Sequence, residues 1–169
     1  MRKLFVFILF ASLPVFFLGC PYNSKVAIDS QPKLKIDERM IGTWGISDTA
    51  LTFYEFSKLN DNEYLIKEYS KDKDKESKLT GKFSAFLSDI NNVTFLNVKQ
   101  LPEDGKVAIM GEEYYFYKIV LEPGVIISTP VTNFIREEFT SSNDLRNFFK
   151  ENMKNSYFFQ EDTRYIKIK

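Results

Sequence analysis

The chain has 169 residues, with 23 lysine and arginine residues balanced by 23 aspartate and glutamate residues, no histidine and one cysteine. Such a length suits one domain with a single sizeable core, and the lack of a basic excess argues against a nucleic-acid partner. The missing histidine excludes Ser-His-Asp and Cys-His catalysis and zinc sites of the usual His/Cys kind, and a lone cysteine excludes an internal disulfide.

The N-terminal segment begins with basic residues, continues with apolar residues and ends with a small residue before the cysteine. Arg2 and Lys3 give it a positive start, residues 4–13 are apolar except for Ser12, and small Gly19 precedes the cysteine at position 20. Because the apolar stretch is short and ends in a processing site, the pattern predicts a secretory signal over residues 1–19 rather than a transmembrane anchor.

The end of this segment, Phe16-Phe17-Leu18-Gly19-Cys20, resembles the lipobox of bacterial lipoproteins. In that motif a small residue precedes the cysteine that becomes the lipidated N-terminus, so the resemblance implies that Cys20 is acylated. The protein would then be held at a cell-envelope membrane by its acyl chains, since no basic excess is present for electrostatic attachment. Pro21 follows Cys20 where many lipoproteins retained at the inner membrane have aspartate, which implies the outer membrane if the host is Gram-negative.

Residues 20–37 are predicted to form the acylated cysteine and a flexible tether, because they are rich in proline, serine and other polar residues. An alternative remains open at this stage. Val26, Ile28, Leu34 and Ile36 are evenly spaced, and they can instead dock on the domain as edge contacts.

Gly42 and Trp44 form a Gly-x-Trp motif that resembles the first strand of lipocalin-like barrels. In that family the tryptophan packs across the closed end of the barrel, and the resemblance implies the same place for Trp44. Without the resemblance, Trp44 is simply the largest core side chain of a β-fold.

The middle of the chain consists of segments that alternate with period two and are separated by turn signals such as Asn91-Asn92 and Pro123-Gly124. Such alternation is typical of β-strands with one buried face. We predict strands over residues 50–57, 63–70, 79–87, 93–99, 107–110, 113–121, 125–129 and 131–139.

The period then changes to that of a helix. Leu145, Phe148, Phe149 and Met153 form one apolar stripe, which predicts a helix over about 142–155 capped by Ser142 or Ser141. A last strand follows from Thr163 onward. The sequence therefore predicts a mostly β fold: a single lipocalin-like antiparallel β-barrel of about eight strands over residues 38–169, with one C-terminal helix and a final strand.

The aromatic run Tyr114-Tyr115-Phe116-Tyr117 lies on a predicted strand, so its members alternate between the two faces. If one pair faces the barrel interior, its rings form an apolar wall with polar handles for a small ligand. Together with Trp44, these four residues are the candidate ligand-binding residues. The alternatives are that both faces are covered by core and helix, or that side chains fill the barrel.

Two functions are compatible with these patterns. The first is a lipid-anchored protein that binds a small apolar ligand in a barrel cavity, and the alternative is a structural or protein-interaction lipoprotein with a filled barrel and an envelope protein as partner.

No catalytic, metal-binding or cofactor-binding residues are predicted. Neighbouring carboxylates on a strand point to opposite faces and form no dyad by themselves. They are interpreted as surface charge at Glu112, Glu113, Glu137, Glu138, Glu161 and Asp162.

Overall fold

The computed structural model describes residues 21–71, 76–102 and 112–168. The signal segment, Cys20 and the strand predicted at 107–110 lie outside these residues. Two short 3-10 helices lie at Glu38–Met40 and Ser156–Phe158, and one α-helix, α1, spans Ser142–Asn152. The strands are β1 Asn23–Ser24, β2 Gly42–Gly45, β3 Thr52–Lys58, β4 Glu63–Ser70, β5 Lys78–Ile90, β6 Val93–Gln100, β7 Tyr114–Glu122, β8 Val125–Pro130 and β9 Thr163–Lys167.

Strands β2 to β9 form a closed antiparallel barrel of eight strands. Each strand pairs with the next one in the chain, and β9 returns to pair with β2, where Trp44 lies opposite Lys167. Closure leaves no unpaired sheet edge among these eight strands. The predicted barrel of about eight strands, with one helix and a final strand, is confirmed, and the final strand is the one that closes the barrel.

The tight turns follow from residues that accept unusual backbone angles. Asn91 and Asn92 both have positive φ, 53° and 64°, between β5 and β6. A two-residue turn with this geometry matches the twist of the flanking strands, and asparagine adopts it more readily than most residues. Gly124, with φ of 70°, turns β7 into β8. Both turns lie where the sequence predicted them.

The strand predicted over residues 131–139 is wrong. Only Val131 pairs there, in an isolated bridge with Phe159, and Phe134 is 75% exposed. Strand β8 pairs with β7 from Tyr117 to Glu122. The part of the same edge before Phe116 is already occupied by β1, which pairs with Tyr114 and Tyr115. The chain after Val131 therefore finds no strand to join and leaves the barrel.

Helix α1 is confirmed and is slightly shorter than predicted. Ser141 is the N-cap, and its hydroxyl oxygen accepts a hydrogen bond of 3.2 Å from the backbone N–H of Asp144. Leu145 and Phe149 of the apolar stripe are fully buried. The helix thus packs one face against the outside of the barrel and leaves its polar face in solvent.

The flexible tether predicted for residues 20–37 is not what the structure shows from residue 22 onward. Tyr22 is 6% exposed and Ile28 is 1% exposed, and the N–H of Ile28 donates a 3.0 Å hydrogen bond to the buried Asn97 side chain. Asp29 is paired at 3.1 Å with Arg146 of α1. The docked alternative describes the first part of this segment, where Val26 and Ile28 pack in the cluster outside the barrel wall. Further on, Ile36 packs against the cluster inside the barrel, and Leu34 is 39% exposed.

The molecule has two cores, separated by the sheet. We call the cluster inside the barrel the inner core and the cluster between the barrel wall, the N-terminal segment and α1 the outer core. The residues of both cores lie between Tyr22 and Tyr165. The inner core contains Met40, Trp44, Tyr64, Ile66, Ala85, Leu87, Leu96, Ile119 and Ile126, and the outer core contains Tyr22, Ile28, Ile90, Phe95, Phe116, Val131, Leu145, Phe149 and Phe158.

Candidate functional site

The inner core does not fill the barrel. It leaves a cavity of about 280 Å³ whose walls are mostly apolar and aromatic. This volume is close to the lower end of the range of about 300–1,000 Å³ that is usual for small-molecule pockets. The described residues that line it are Met40, Trp44, Tyr54, Phe56, Ile66, Glu68, Phe83, Leu96, Val98, Tyr117, Ile119, Ile126, Ser128 and Tyr165.

One end of the cavity is closed by Trp44 and the 3-10 helix. The indole N–H of Trp44 donates a 2.8 Å hydrogen bond to the carbonyl of Met40, so the buried ring keeps its polar atom satisfied. The ammonium of Lys167 lies 5.4 Å from the centre of the indole ring. The hydroxyl of Tyr64 ties the same end to Asp37, accepting from its N–H at 2.5 Å and donating to its carbonyl at 3.2 Å.

The end of the cavity at Glu68 is polar, and in the sheet register Trp44 lies opposite Tyr54 while Tyr54 lies opposite Glu68. Glu68 lies there, near the end of β4, and its carboxylate accepts hydrogen bonds of 3.2 Å from the hydroxyls of Tyr54 and Thr80. The ring of Tyr165 meets that of Tyr54 edge to face, with 5.7 Å between the ring centres. These side chains put one carboxylate and several tyrosine rings at the same end of an otherwise apolar cavity.

A β-bulge allows Thr80 to reach Glu68. The register between β4 and β5 shifts after Glu68, which lies opposite Gly81, while Tyr69 lies opposite Leu79. Thr80 is therefore the extra residue of the bulge, and bulges commonly redirect a side chain next to a binding site. A Cβ on Gly81 would lie 2.8 Å from the Phe83 ring and 3.2 Å from the Glu68 carboxylate, so a larger residue there would displace the Phe83 ring.

The tyrosines at the polar end stay protonated. Burial, together with the neighbouring Tyr165 and Glu68, raises the pKa of Tyr54 well above its ordinary value. Burial and the charge of Glu68 also raise the pKa of Tyr165. Both phenols thus remain neutral at physiological pH, and they present hydroxyl donors and uncharged rings to an occupant of the cavity.

The predicted ligand residues are divided between the two faces of the sheet. Trp44 and Tyr117 line the cavity, and Tyr115, which is buried, shares the inward side of β7 but does not line it. Phe116 points the other way and is fully buried against Phe149 of α1, with 5.3 Å between ring centres. Tyr114 also lies on the outer side, where its ring meets Phe86. The wall predicted from residues 114–117 is therefore reduced to Tyr117, because alternation along β7 sends Tyr114 and Phe116 outward.

The sequence-based prediction missed Glu68, Tyr54 and Tyr165 as cavity residues. A signal for Glu68 was present, since it continues the inward-facing series of Tyr64 and Ile66 on β4, and an acidic residue on the apolar side of a strand is unusual. No such signal marked Tyr165, because its place across from Tyr54 depends on the closure of the barrel by β9.

Comparisons with models of protein families, with curated proteins and with solved structures found no match. Within residues 21–71, 76–102 and 112–168, no helix is both long and apolar enough to cross a membrane. In the same ranges, no three potential ligand side chains come together as a metal site would require.

Proposed function

We propose that this chain is a lipid-anchored protein of the cell envelope that binds a small, mainly apolar ligand inside its barrel. The observation that carries the proposal is the cavity of about 280 Å³ next to Trp44 and Tyr117. A site of this kind, with apolar walls and a few polar groups, is typical of small-molecule binding. A role in binding rather than catalysis suits a chain without histidine.

The structure favours the ligand-binding function over the filled-barrel alternative. A barrel of eight strands is small enough for its own side chains to fill, as happens in many such barrels. Here Val98 and Ser128 are small residues at positions that line the cavity, and they leave space that larger side chains would take. The unfilled volume costs packing energy, which a bound ligand would recover.

Native mass spectrometry of the chain from residue 21 onward, purified gently from its own host, tests the ligand. We expect a reproducible extra mass that disappears on denaturation. Val98→Phe fills part of the cavity and should remove the extra mass. Val120→Phe, at an exposed outward position on the neighbouring part of the barrel, is the matched control and should keep it. A bare polypeptide mass in every preparation would instead favour a protein partner.

The lipid anchor is proposed from the sequence Phe16-Phe17-Leu18-Gly19-Cys20. Because Tyr22 is buried, only Pro21 separates Cys20 from the folded part, and the two steps from Cys20 to Tyr22 span about 7 Å when fully extended. An acylated Cys20 would therefore hold the barrel against the membrane surface, not at the end of a long spacer. With Pro21 after the cysteine, we place it at the outer membrane if the host is Gram-negative.

Cys20→Ser tests the anchor in intact cells. We expect an uncleaved or mis-sorted precursor in place of the membrane-bound mature form, because serine cannot accept the lipid. Phe17→Leu, which brings the segment closer to the usual lipobox, serves as the control and should keep both processing and membrane association. A Cys20→Ser protein with the mature mass that still partitions with membranes would contradict the lipid anchor.

A further inference from the structure

The charge in the lining of the cavity is negative. Of the described residues that line it, Glu68 is the only charged one, and no lysine or arginine is among them. The lysines on either side of Glu68 in the barrel wall, Lys67 and Lys82, lie opposite each other on the two paired strands and outside this lining. The Lys167 ammonium lies beside the indole ring of Trp44 but is not part of the lining. The charged group that an occupant meets in the lining is therefore the Glu68 carboxylate.

The carboxylate of Glu68 is held by neutral groups and keeps spare acceptor capacity. It accepts one hydrogen bond at each oxygen, from the Tyr54 and Thr80 hydroxyls. An ionised carboxylate offers about four lone-pair sites, so two hydroxyl donors leave room for a further donor. Neither hydroxyl neutralises the charge, and among the described residues Glu68 forms no salt bridge.

Aromatic rings surround the same end of the cavity. Tyr54 and Tyr165 meet edge to face at 5.7 Å, and Tyr117 and Phe83 complete the lining around Glu68. The faces of such rings attract cations through their quadrupole, and the attraction grows when the cation is removed from water. A carboxylate among neutral tyrosines is a suitable arrangement for an ammonium group.

We infer that the ligand of this cavity is an amphipathic cation, with an amine or quaternary ammonium group beside Glu68 and an apolar part against the aliphatic lining residues Ile66, Ile119 and Ile126. The inference rests on the proposed function, since it assigns the chemical class of the ligand in that same cavity. Anionic ligands such as fatty acids are disfavoured beside Glu68, because a second carboxylate there would be repelled by the first.

Isothermal titration calorimetry with three probes of equal tail length tests the inference. The chain from residue 21 onward is titrated at neutral pH and low salt with octyltrimethylammonium, 1-octanol and octanoate. We expect the ammonium probe to bind at least about tenfold more tightly than octanol, and octanoate to bind most weakly. Higher ionic strength should weaken the ammonium probe and leave octanol unchanged.

Variants then locate the effect. Glu68→Gln should abolish the preference for the ammonium probe while octanol binding remains. Glu55→Gln is the matched control, because Glu55 lies on the adjacent β3 but contacts the outward-facing Tyr69, and it should keep the preference. If Glu68→Gln fails to fold, the salt dependence of the unaltered protein tests whether a charge in the cavity causes the preference for the ammonium probe.

The outcomes separate the two proposals. Binding of octanol together with equal binding of the ammonium probe, or tighter binding of octanoate, would overturn the amphipathic cation and leave the ligand-binding function standing. A preference that persists in Glu68→Gln would also overturn it. A protein that binds none of the three probes would overturn the proposed function, and the inference with it.

Discussion

On its outward side β7 presents Phe116 to α1, whereas on its inward side it presents Tyr117 and Ile119 to the cavity. In the outer core Phe149 meets the rings of Phe95, Phe116 and Phe158 at centre distances between 5.2 and 5.4 Å. In the inner core the side chains leave about 280 Å³ unfilled. One strand therefore serves two environments of different packing density.

The difference shows how a small barrel can keep an open interior. A closed barrel with an unfilled interior has fewer packing contacts than a barrel filled by its own side chains, and it is less stable for that reason. This molecule has a second layer on the outside, where the N-terminal segment and α1 bury a cluster of aromatic rings. We interpret the outer core as a second source of buried apolar surface, which offsets the burial that the open inner core lacks.

Phe149→Ala should give the largest effect. The ring is fully buried and contacts four aromatic side chains, so its removal leaves a void between α1 and the barrel. We expect the free energy of unfolding to fall by about 3–5 kcal/mol in urea denaturation. Phe134→Ala, at an exposed position, is the control and should stay within about 0.5 kcal/mol of the parent. Similar losses in the two variants would contradict the dense outer core.

Adding volume to each core should give a smaller and unequal effect. Val131 lies fully buried in the outer core, and Val131→Phe should cost about 1–3 kcal/mol by overpacking. Val98 borders the cavity, and Val98→Phe should cost about 1 kcal/mol or less, since its new ring enters free space. Thermal unfolding of the two variants side by side measures the difference. Equal losses would mean that the inner core has no usable space.

The sequence predicted the features that depend on local pattern. The bounds of β4 agree with the prediction, and the asparagine turn and the amphipathic α1 follow from residue types a few positions apart. Features that depend on competition between distant segments were missed. Alternation over 131–139 looked like a strand, but β1 already occupied the edge of β7. For Ile28 the sequence left a flexible tether and docking on the domain both open, because its partner Asn97 lies 69 residues away in the chain.

The candidate site was only partly predictable for the same reason. The Gly-x-Trp motif placed Trp44 in the barrel, and alternation brought Tyr117 to the inside. The polar end of the cavity required three strands to be in register: β3 for Tyr54, β4 for Glu68 and β9 for Tyr165. Pairing register across a closed barrel is a property of the whole fold, and no single stretch of sequence specifies it.

Alkaline pH should lower the free energy of unfolding through one buried tyrosine in each core, and we expect the two cores to differ least in this property. Burial raises the pKa of Tyr22 in the outer core to about 12, and burial likewise raises the pKa of Tyr64 in the inner core to about 12. In the unfolded chain these phenols titrate near their ordinary value of about 10. The folded state therefore holds its protons more tightly, so this part of the stability is complete below pH 10 and is lost as the pH rises towards 12.

Urea denaturation at intervals between pH 8 and pH 11.5 measures this loss, and the two tyrosines can be separated by substitution. Tyr64→Phe and Tyr22→Phe should each flatten part of the fall in unfolding free energy above pH 10, and the double variant should flatten more of it. The variants also lose hydrogen bonds at every pH: Tyr64→Phe loses the two between the Tyr64 hydroxyl and the Asp37 backbone, and Tyr22→Phe loses the one to the Glu137 carbonyl. These losses shift the curve without changing its slope. A Tyr64→Phe protein with the full slope of the parent would mean that the phenol at the closed end of the barrel is reached by water.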